Sequence, residues 1–474
     1  AGYFYHDLIQ VMGEDFVLYF PSSYRRAVKY GQRDSANEIL RTEVLSRLAS
    51  DKKHLYVVTY PDAVGELVVS RRNLDERTVA LRKDQTADIM EIEKNLLALG
   101  FEEVDYVYEP GQFAIRGSIL DVYSYSSEYP FRVDFFGDDI DSIRTFEVET
   151  QLSKDNKDSI EIVPELNSST VDKVSLMKFL PENTIVVYRD FLFVRDSIDQ
   201  TYQDGFSNQA ISERLESATE QEKKQIYEEM NKESQLISGA QFTSDVIDFR
   251  RIEFAHTPSG NPQTVIKFNV SAQPLFHKNF EMLQQALEEY TGKGYQLYIL
   301  ADSQKQNQRL RDIFDEMANT SHTTPLAFTA VDKTLHEGFA DDDLKICFFT
   351  DHQIFDRYHK YNLRSDKARS GKVALSLKEI NKLSINDYIV HVDHGIGRFG
   401  GLVRVPQGDG YQEMVRIVYQ NNDVVFVSIH SLYKISKYKG KDGEPPRLSR
   451  LGTGAWENMK ERTKKKLKDI ARDL

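Results

Sequence analysis

The chain is poor in the residues on which several classes of function depend. It has a single cysteine, Cys347, in 474 residues, which excludes a disulfide framework and any cysteine-rich metal site. No apolar run approaches the roughly 20 residues that a membrane span needs. The opening residues, AGYFYHDLIQ, lack the charged start and apolar core of a signal peptide. A cytoplasmic protein is therefore expected. The opening also lacks an initiator Met, so a processed chain or a piece of a longer one is expected. No Gly-x4-Gly-Lys-Ser/Thr string occurs, and a nucleotide-hydrolysing loop needs one to cradle phosphates with backbone N–H groups and a Lys. The nearest string, Gly292-Lys293-Gly294, has no Ser or Thr after its Lys and precedes a strand pattern, so it reads as a helix end and turn. Trp456 is the only tryptophan; it opens the last helical pattern, where packing on a neighbouring element is expected.

Charge is plentiful but uneven. The formal net charge is −13, yet Lys434–Leu474 holds 13 Lys and Arg against 6 Asp and Glu, so the rest of the chain carries −20. An acidic body disfavours sequence-blind DNA binding, which rests on phosphate neutralisation. The basic tail reads either as a solvated helix face or as a contact for nucleic acid or an acidic protein.

The stretch HVDHGIGRFGG, His391–Gly401, contains the Gly-x-Gly-x-x-Gly pattern of dinucleotide binding. That pattern needs a helix after it to hold the pyrophosphate. Here the following residues are short Val, Ile, Tyr and Phe runs broken by QGDG and QNND, which predicts hairpins of a small barrel. His391, Asp393 and His394 form a poor metal site, because strand alternation separates His394 from the other two. Gly137-Asp138-Asp139 reads as a hairpin turn, and Cys347 as a buried thiol inside an apolar strand.

Periodicity divides the rest. DFVLYFP and HLYVVTYP read as strands around a helix at DSANEILRTEVLSRLAS. ADIMEIEKNLLALGF reads as an amphipathic helix closed by Gly100, followed by alternating strands of an antiparallel sheet. A long, charged helix is expected at SERLESATEQEKKQIYEEMNKES. Helix and strand patterns alternate from about 263 to 360, predicting a small parallel α/β domain. In FAIRGSILDVY, two readings of Arg116 stay open: a solvated side chain, or a protein-binding hot spot at a sheet edge beside Phe113 and Tyr123. The terminal helix is expected to start near Thr453 as N-cap.

GFEEVDYVYEPGQFAIRGSILDVYSYSSEYPFRVDFFGDDIDSIRTFEVETQLS resembles the UvrB-homology region of the bacterial transcription-repair coupling factors, the Mfd family. LSINDYIVHVDHGIGRFGGL and VRIVYQNNDVVFVSIHSLYKISKYKG resemble that family's RNA-polymerase-interacting domain, which UvrB lacks. The resemblance implies a multi-domain α/β and α+β chain. Residues 1–70 and 164–262 would be a helicase-like α/β remnant. Residues 71–163 would be an inserted α+β domain that binds UvrA, and 263–360 a small α/β domain. A linker at 361–379 would precede a Tudor-like, CarD-like β domain at 380–445 that binds the RNA polymerase β subunit. A basic helix at 446–474 would lead toward a motor. The family's ATP, Mg and main DNA contacts belong to that motor, so no cofactor and no catalytic residue are expected in this N-terminal portion. The resemblance implies UvrA binding through Arg116, with Phe113 and Tyr123 beside it. It implies polymerase binding through Leu402, Val403, Arg404 and Val405, on an edge strand after the glycine-rich turn. Glu102 and Glu103 stand where the family can carry a basic residue. The implied function is a non-catalytic adaptor for transcription-coupled repair; the alternatives are a CarD-like transcription regulator and a nucleotide-dependent enzyme.

Overall fold

The structure is a computed structural model. It describes residues 1–24, 34–50, 54–148, 151–166, 172–206, scattered positions from 211 to 227, 231–321 apart from 256 and 258, 327–357, 383–407, 410–428, 434–438 and 446–463. The expected linker at 361–379, most of the charged helix after 212, the turn at Gly408-Asp409 and the basic tail beyond 463 lie outside the described residues. The chain divides into two compact units: Ala1–Glu128, Val133–Ile143 and Lys157–Leu363 in one, and Tyr129–Arg132, Arg144–Asn156 and Arg364–Leu474 in the other.

In the first unit, helix α1 (Gly2–Met12) precedes strand β1 (Val17–Tyr19), helix α2 (Ser35–Ser50) and strand β2 (Tyr56–Val58). The two strands pair in parallel, Val17 opposite Tyr56. Asp34 Oδ1 accepts the Ala36 N–H at 3.0 Å and so caps α2. The core here joins Leu18, Phe20, Val44 and Leu45 to Val64, Leu74, Phe179, Ile198 and Phe242, drawing on residues both before 75 and after 162. One buried carboxylate sits at its margin. Glu66 accepts hydroxyl protons from Ser22 at 2.5 Å and Ser23 at 2.6 Å, and the Ser23 N–H at 3.0 Å. Arg41, also buried, lies 3.2 Å from Glu66, so the charge is both paired and hydrogen-bonded, as burial demands.

Helix α3 (Ile89–Ala98) is capped by Asp88, whose Oδ1 accepts the Met90 N–H at 2.9 Å, and it ends as expected at Gly100, with φ +89°. Six strands follow: β3 (Glu102–Glu103), β4 (Gln112–Arg116), β5 (Ile119–Val122), β6 (Phe131–Phe136), β7 (Asp139–Phe146) and β8 (Ser153–Lys157), in the spatial order β8-β7-β6-β5-β4-β3. The first pair, β3 with β4, is parallel; β4 and β5 are an antiparallel hairpin. Phe113, Leu120, Val122, Val133, Phe135 and Ile140 are buried, as are Ile92 and Leu96 on the apolar stripe of α3.

The small α/β region holds β9 (Val270–Ala272), α4 (Phe280–Gly292), β10 (Gln296–Leu300), α5 (Gln304–Ser321), β11 (Thr329–Val331), β12 (Phe339–Asp341) and β13 (Ile346–Thr350), with strand order β9-β12-β13-β10-β11. The three strands β13, β10 and β11 are parallel, as the alternation predicts. The sheet as a whole is mixed, because β12 runs antiparallel to β13 and β9 antiparallel to β12. Only residues 342–345 join β12 to β13, too few for a parallel crossover. Helix α1 packs against this region: Tyr3 stacks on His336 at 3.6 Å, and Asp7 accepts the His336 N–H at 2.7 Å. Cys347 is buried, and burial pushes its thiol up to about 12.

The second unit contains β14 (Tyr388–His391), β15 (Gly395–Gln407), β16 (Gly410–Val418), β17 (Val424–Ser428) and β18 (Ile435–Lys437). They form an antiparallel five-stranded sheet in the order β17-β16-β15-β14-β18. Ile389, Phe399, Val415, Ile417, Val427 and Ile435 form its core, with Leu451 packed against them. The last helix begins at Ala455, so Gly454, whose carbonyl accepts the Asn458 N–H at 3.0 Å, takes the capping position expected of Thr453. The Thr453 hydroxyl instead donates to the Arg450 carbonyl.

Candidate functional site

The glycine fingerprint builds a β turn and a docking seat. A strand, β15, begins at Gly395, so no helix N-terminus is offered to a pyrophosphate. A Cβ on Gly397 would lie 2.4 Å from Ile417 Cγ2, and one on Gly395 2.2 Å from Ser449 Oγ and 2.9 Å from Trp456 Cδ2. These glycines are required by close approach. Ser449 is bonded into the turn at both ends: its N–H donates to the Ile396 carbonyl at 2.8 Å and its Oγ accepts the Ile396 N–H at 2.9 Å. The Trp456 indole N–H and the Lys460 ammonium both donate to the Val392 carbonyl, at 2.8 and 3.0 Å. The glycine turn is thus the seat of the last helix, a partnership between residues 64 apart in sequence.

The His391 ring stacks on His394 at 4.6 Å, and His391 Nδ1 accepts the Asp393 N–H at 3.1 Å. Burial first, and His394 second, lower the His391 pKa to about 4. Asp393 pairs with Lys434 at 3.3 Å. Among the described residues no group of three His, Cys, Asp or Glu is placed to hold a metal ion.

Arg116 lies at the end of β4, and Gly117, with φ +62°, starts the two-residue turn into β5. Strand pairing puts Arg116, Ile119, Ala114 and Asp121 on one face of the hairpin, and Phe113, Ile115, Leu120 and Val122 on the other. The second set includes the core positions Phe113, Leu120 and Val122. On the first, the Arg116 guanidinium is bonded to the Asp121 carboxylate, donates to the Asp105 carbonyl at 2.9 Å and sits 4.9 Å from the Tyr106 ring centroid. Asp121 is fully buried, while a third of the Arg116 side chain (34%) meets solvent. Arg116 thus covers a buried charge while part of its own side chain meets solvent. On the outer side of β4, β3 pairs with Gln112 and Phe113 and does not reach Arg116. Phe113 and Tyr123 are corrected. Phe113 has no exposed surface. Tyr123 is buried, with its hydroxyl donated to the Glu128 carbonyl at 2.6 Å. Both support the surface from beneath. Glu102 and Glu103 are exposed on β3, which makes that edge acidic.

The strand after the glycine turn is central in strand order, not an edge. Its second half is different. A bulge falls between Phe399 and Leu402, where Gly401 has φ +96°. Before the bulge β15 pairs with both β14 and β16; from Leu402 onward its pairing among the described residues is with β16 alone. Leu402, Val403, Arg404 and Val405 stand opposite Val415, Met414, Glu413 and Gln412. Leu402 is exposed, and Val403 and Val405 are half-buried. The Arg404 side chain lies outside the described residues.

Comparison with known proteins matches both regions. Residues 79–167 match the UvrB interaction domain, and residues 383–439 the CarD-like/TRCF RID domain. The chain is thus a multi-domain protein that joins a UvrB interaction domain to a CarD-like RID domain. Along 99% of its length it is 23% identical to the transcription-repair-coupling factor of Staphylococcus aureus strain bovine RF122 / ET3-1, and 22% identical to that of Staphylococcus haemolyticus. It is similar to transcription-repair-coupling factors along nearly its whole length, and it spans 44% of the length of these curated relatives.

Proposed function

We propose that the chain is a non-catalytic adaptor of transcription-coupled repair, holding the RNA polymerase β subunit with one domain and UvrA with another. The union of the two matched domains in one chain carries this reading. Residues 71–163 serve UvrA, with Arg116 presenting its solvent edge. Residues 380–445 serve the polymerase. The half-paired segment Leu402–Val405 supports that role, because unpaired backbone N–H and C=O groups extend a partner's sheet. The adaptor needs neither ATP nor Mg of its own.

Val405→Arg tests the polymerase half. Burying an apolar side chain there contributes roughly 1.5–3 kcal/mol, whereas a cation would be desolvated without a partner. Binding to purified β subunit should be lost, UvrA binding kept, and the β-sheet circular dichroism unchanged. Wild-type affinity in the folded variant removes the segment from the interface. DNA-stimulated phosphate release from ATP by the pure chain would overturn the non-catalytic reading.

A further inference from the structure

One edge of the small α/β sheet is apolar and exposed. In the strand order β9-β12-β13-β10-β11, β12 is the one strand beside β9 among the described residues. Residues 264–269 lead into β9 without a turn or bend, and every residue from Thr264 to Ala272 is exposed. Val265, Ile266, Phe268 and Val270 are among them, with Ile266 at 74% and Phe268 at 67%. Charge is the usual protection of such an edge, yet between Asn261 and Phe276 the only charged residue is Lys267. Hydrogen bonding settles which backbone groups face outward. The Asp342 N–H donates to the Asn269 carbonyl and the Gln273 N–H to the Gly338 carbonyl, both at 2.9 Å. Asn269, Ser271 and Gln273 therefore turn their backbone groups toward β12. The alternate residues Val270 and Ala272, with Phe268 and Ile266 upstream, turn theirs away from it and share one side-chain face.

We propose that this edge pairs with the same edge of a second copy of the chain, antiparallel and about a two-fold axis at Phe268. The sequence is self-complementary in that register. Phe268 stands opposite its own counterpart, Ile266 opposite the second copy's Val270 and Thr264 opposite the second copy's Ala272, so each outward-facing residue meets another. Lys267 meets Asn269, whereas a register centred on Lys267 would set two ammonium groups against each other. Pro262 and Pro274 lie at equal distances from Phe268, and neither has an N–H to donate, so they bound the ladder symmetrically. Such an interface uses the same patch twice and closes as a pair. Neither matched domain contains β9, so the proposal is independent of the polymerase and UvrA readings.

Sedimentation of the 474-residue chain tests it. The unsubstituted chain should dimerise as its concentration rises. Phe268→Lys and Phe268→Glu each set like charges opposite one another and remove two apolar side chains from the contact, so each should weaken the dimer by about tenfold or more. An equal mixture of the two variants should restore it. Both should keep the wild-type melting temperature, because Phe268 is exposed. Should either melt early, Ile266→Lys and Val270→Glu form a second complementary pair, whose mixture should associate more tightly than either variant alone. A chain that stays monomeric at every concentration reached overturns the proposal and leaves the edge to a strand of another protein. A dimer that Phe268→Lys leaves intact lies on a different face and also overturns it. Loss of the dimer in both variants without recovery in their mixture overturns the two-fold register at Phe268.

Discussion

Arg116 cannot be deleted as if it were a free surface residue. Its guanidinium is bonded to Asp121, which is fully buried, and donates to the Asp105 carbonyl at 2.9 Å. Removing one partner of a buried pair costs about 3–5 kcal/mol, because the other charge is left uncompensated. Arg116 is itself 34% exposed, so water reaches the vacated position and the expected cost falls to roughly 2–4 kcal/mol. The Arg116–Asp121 hairpin should open locally before the whole chain unfolds, so hydrogen exchange at Gln112–Val122 is the suitable assay. At about 1.4 kcal/mol per tenfold, Arg116→Ala should accelerate exchange there by about 30- to 700-fold. Arg116→Ala combined with Asp121→Ala removes both charges and should restore much of the protection. That double variant is also the proper background for UvrA titration, where a hot spot would lose about 1–3 kcal/mol. Wild-type exchange in Arg116→Ala alone would refute the argument and return Arg116 to the solvated-side-chain reading.

Glu66→Gln should destabilise the N-terminal region by about 3–5 kcal/mol, since Arg41 would stay buried without its counter-charge; limited proteolysis and urea unfolding read this, and unchanged resistance would contradict it. Gly395→Ala places a Cβ 2.2 Å from Ser449 Oγ and 2.9 Å from Trp456. Because Trp456 is the only tryptophan, its emission should shift to the red as the helix leaves its seat, and an unmoved spectrum would show that the seat yields. His391 supplies a pH prediction. Its folded pKa of about 4 lies below the ordinary 6.5, so the unfolded chain binds the extra proton. Stability of the β domain should hold above about pH 6.5 and fall as pH drops toward 4, by on the order of 3 kcal/mol in all. His391→Gln should flatten that slope in thermal melts, and an equally steep slope would exonerate His391.

Local chemistry made much of this fold legible. Gly100 as the end of α3, the Gly137-Asp138 hairpin and the refusal of Gly395-x-Gly397-x-x-Gly400 to start a helix all follow from residues within a few positions of one another. Features set by distant partners were not legible. Alternation marks FAIRGSILDVY as a strand hairpin but does not say which face is covered, so Phe113 and Tyr123 were expected at the surface and are buried. The short link from Asp341 to Ile346 was the available signal that the small α/β sheet is mixed, and periodicity alone passes over it. Asp121 as the partner of Arg116 was within reach, because the hairpin pairs Ala114 with Asp121 and Arg116 with Ile119, on one face. The joining of Glu66 to Ser22 and Ser23, and of Trp456 to Val392, spans 43 to 64 residues and needs the tertiary fold.

The most direct test of the adaptor reading is a bridging capture. Polymerase β subunit is immobilised, UvrA is passed over it with and without the 474-residue chain, and retained UvrA is measured. UvrA should be retained only when the chain is present, and Val405→Arg should abolish retention while UvrA still binds the chain. If the chain binds each partner singly but UvrA and the β subunit displace one another, the two domains do not act as a bridge and the adaptor account is wrong.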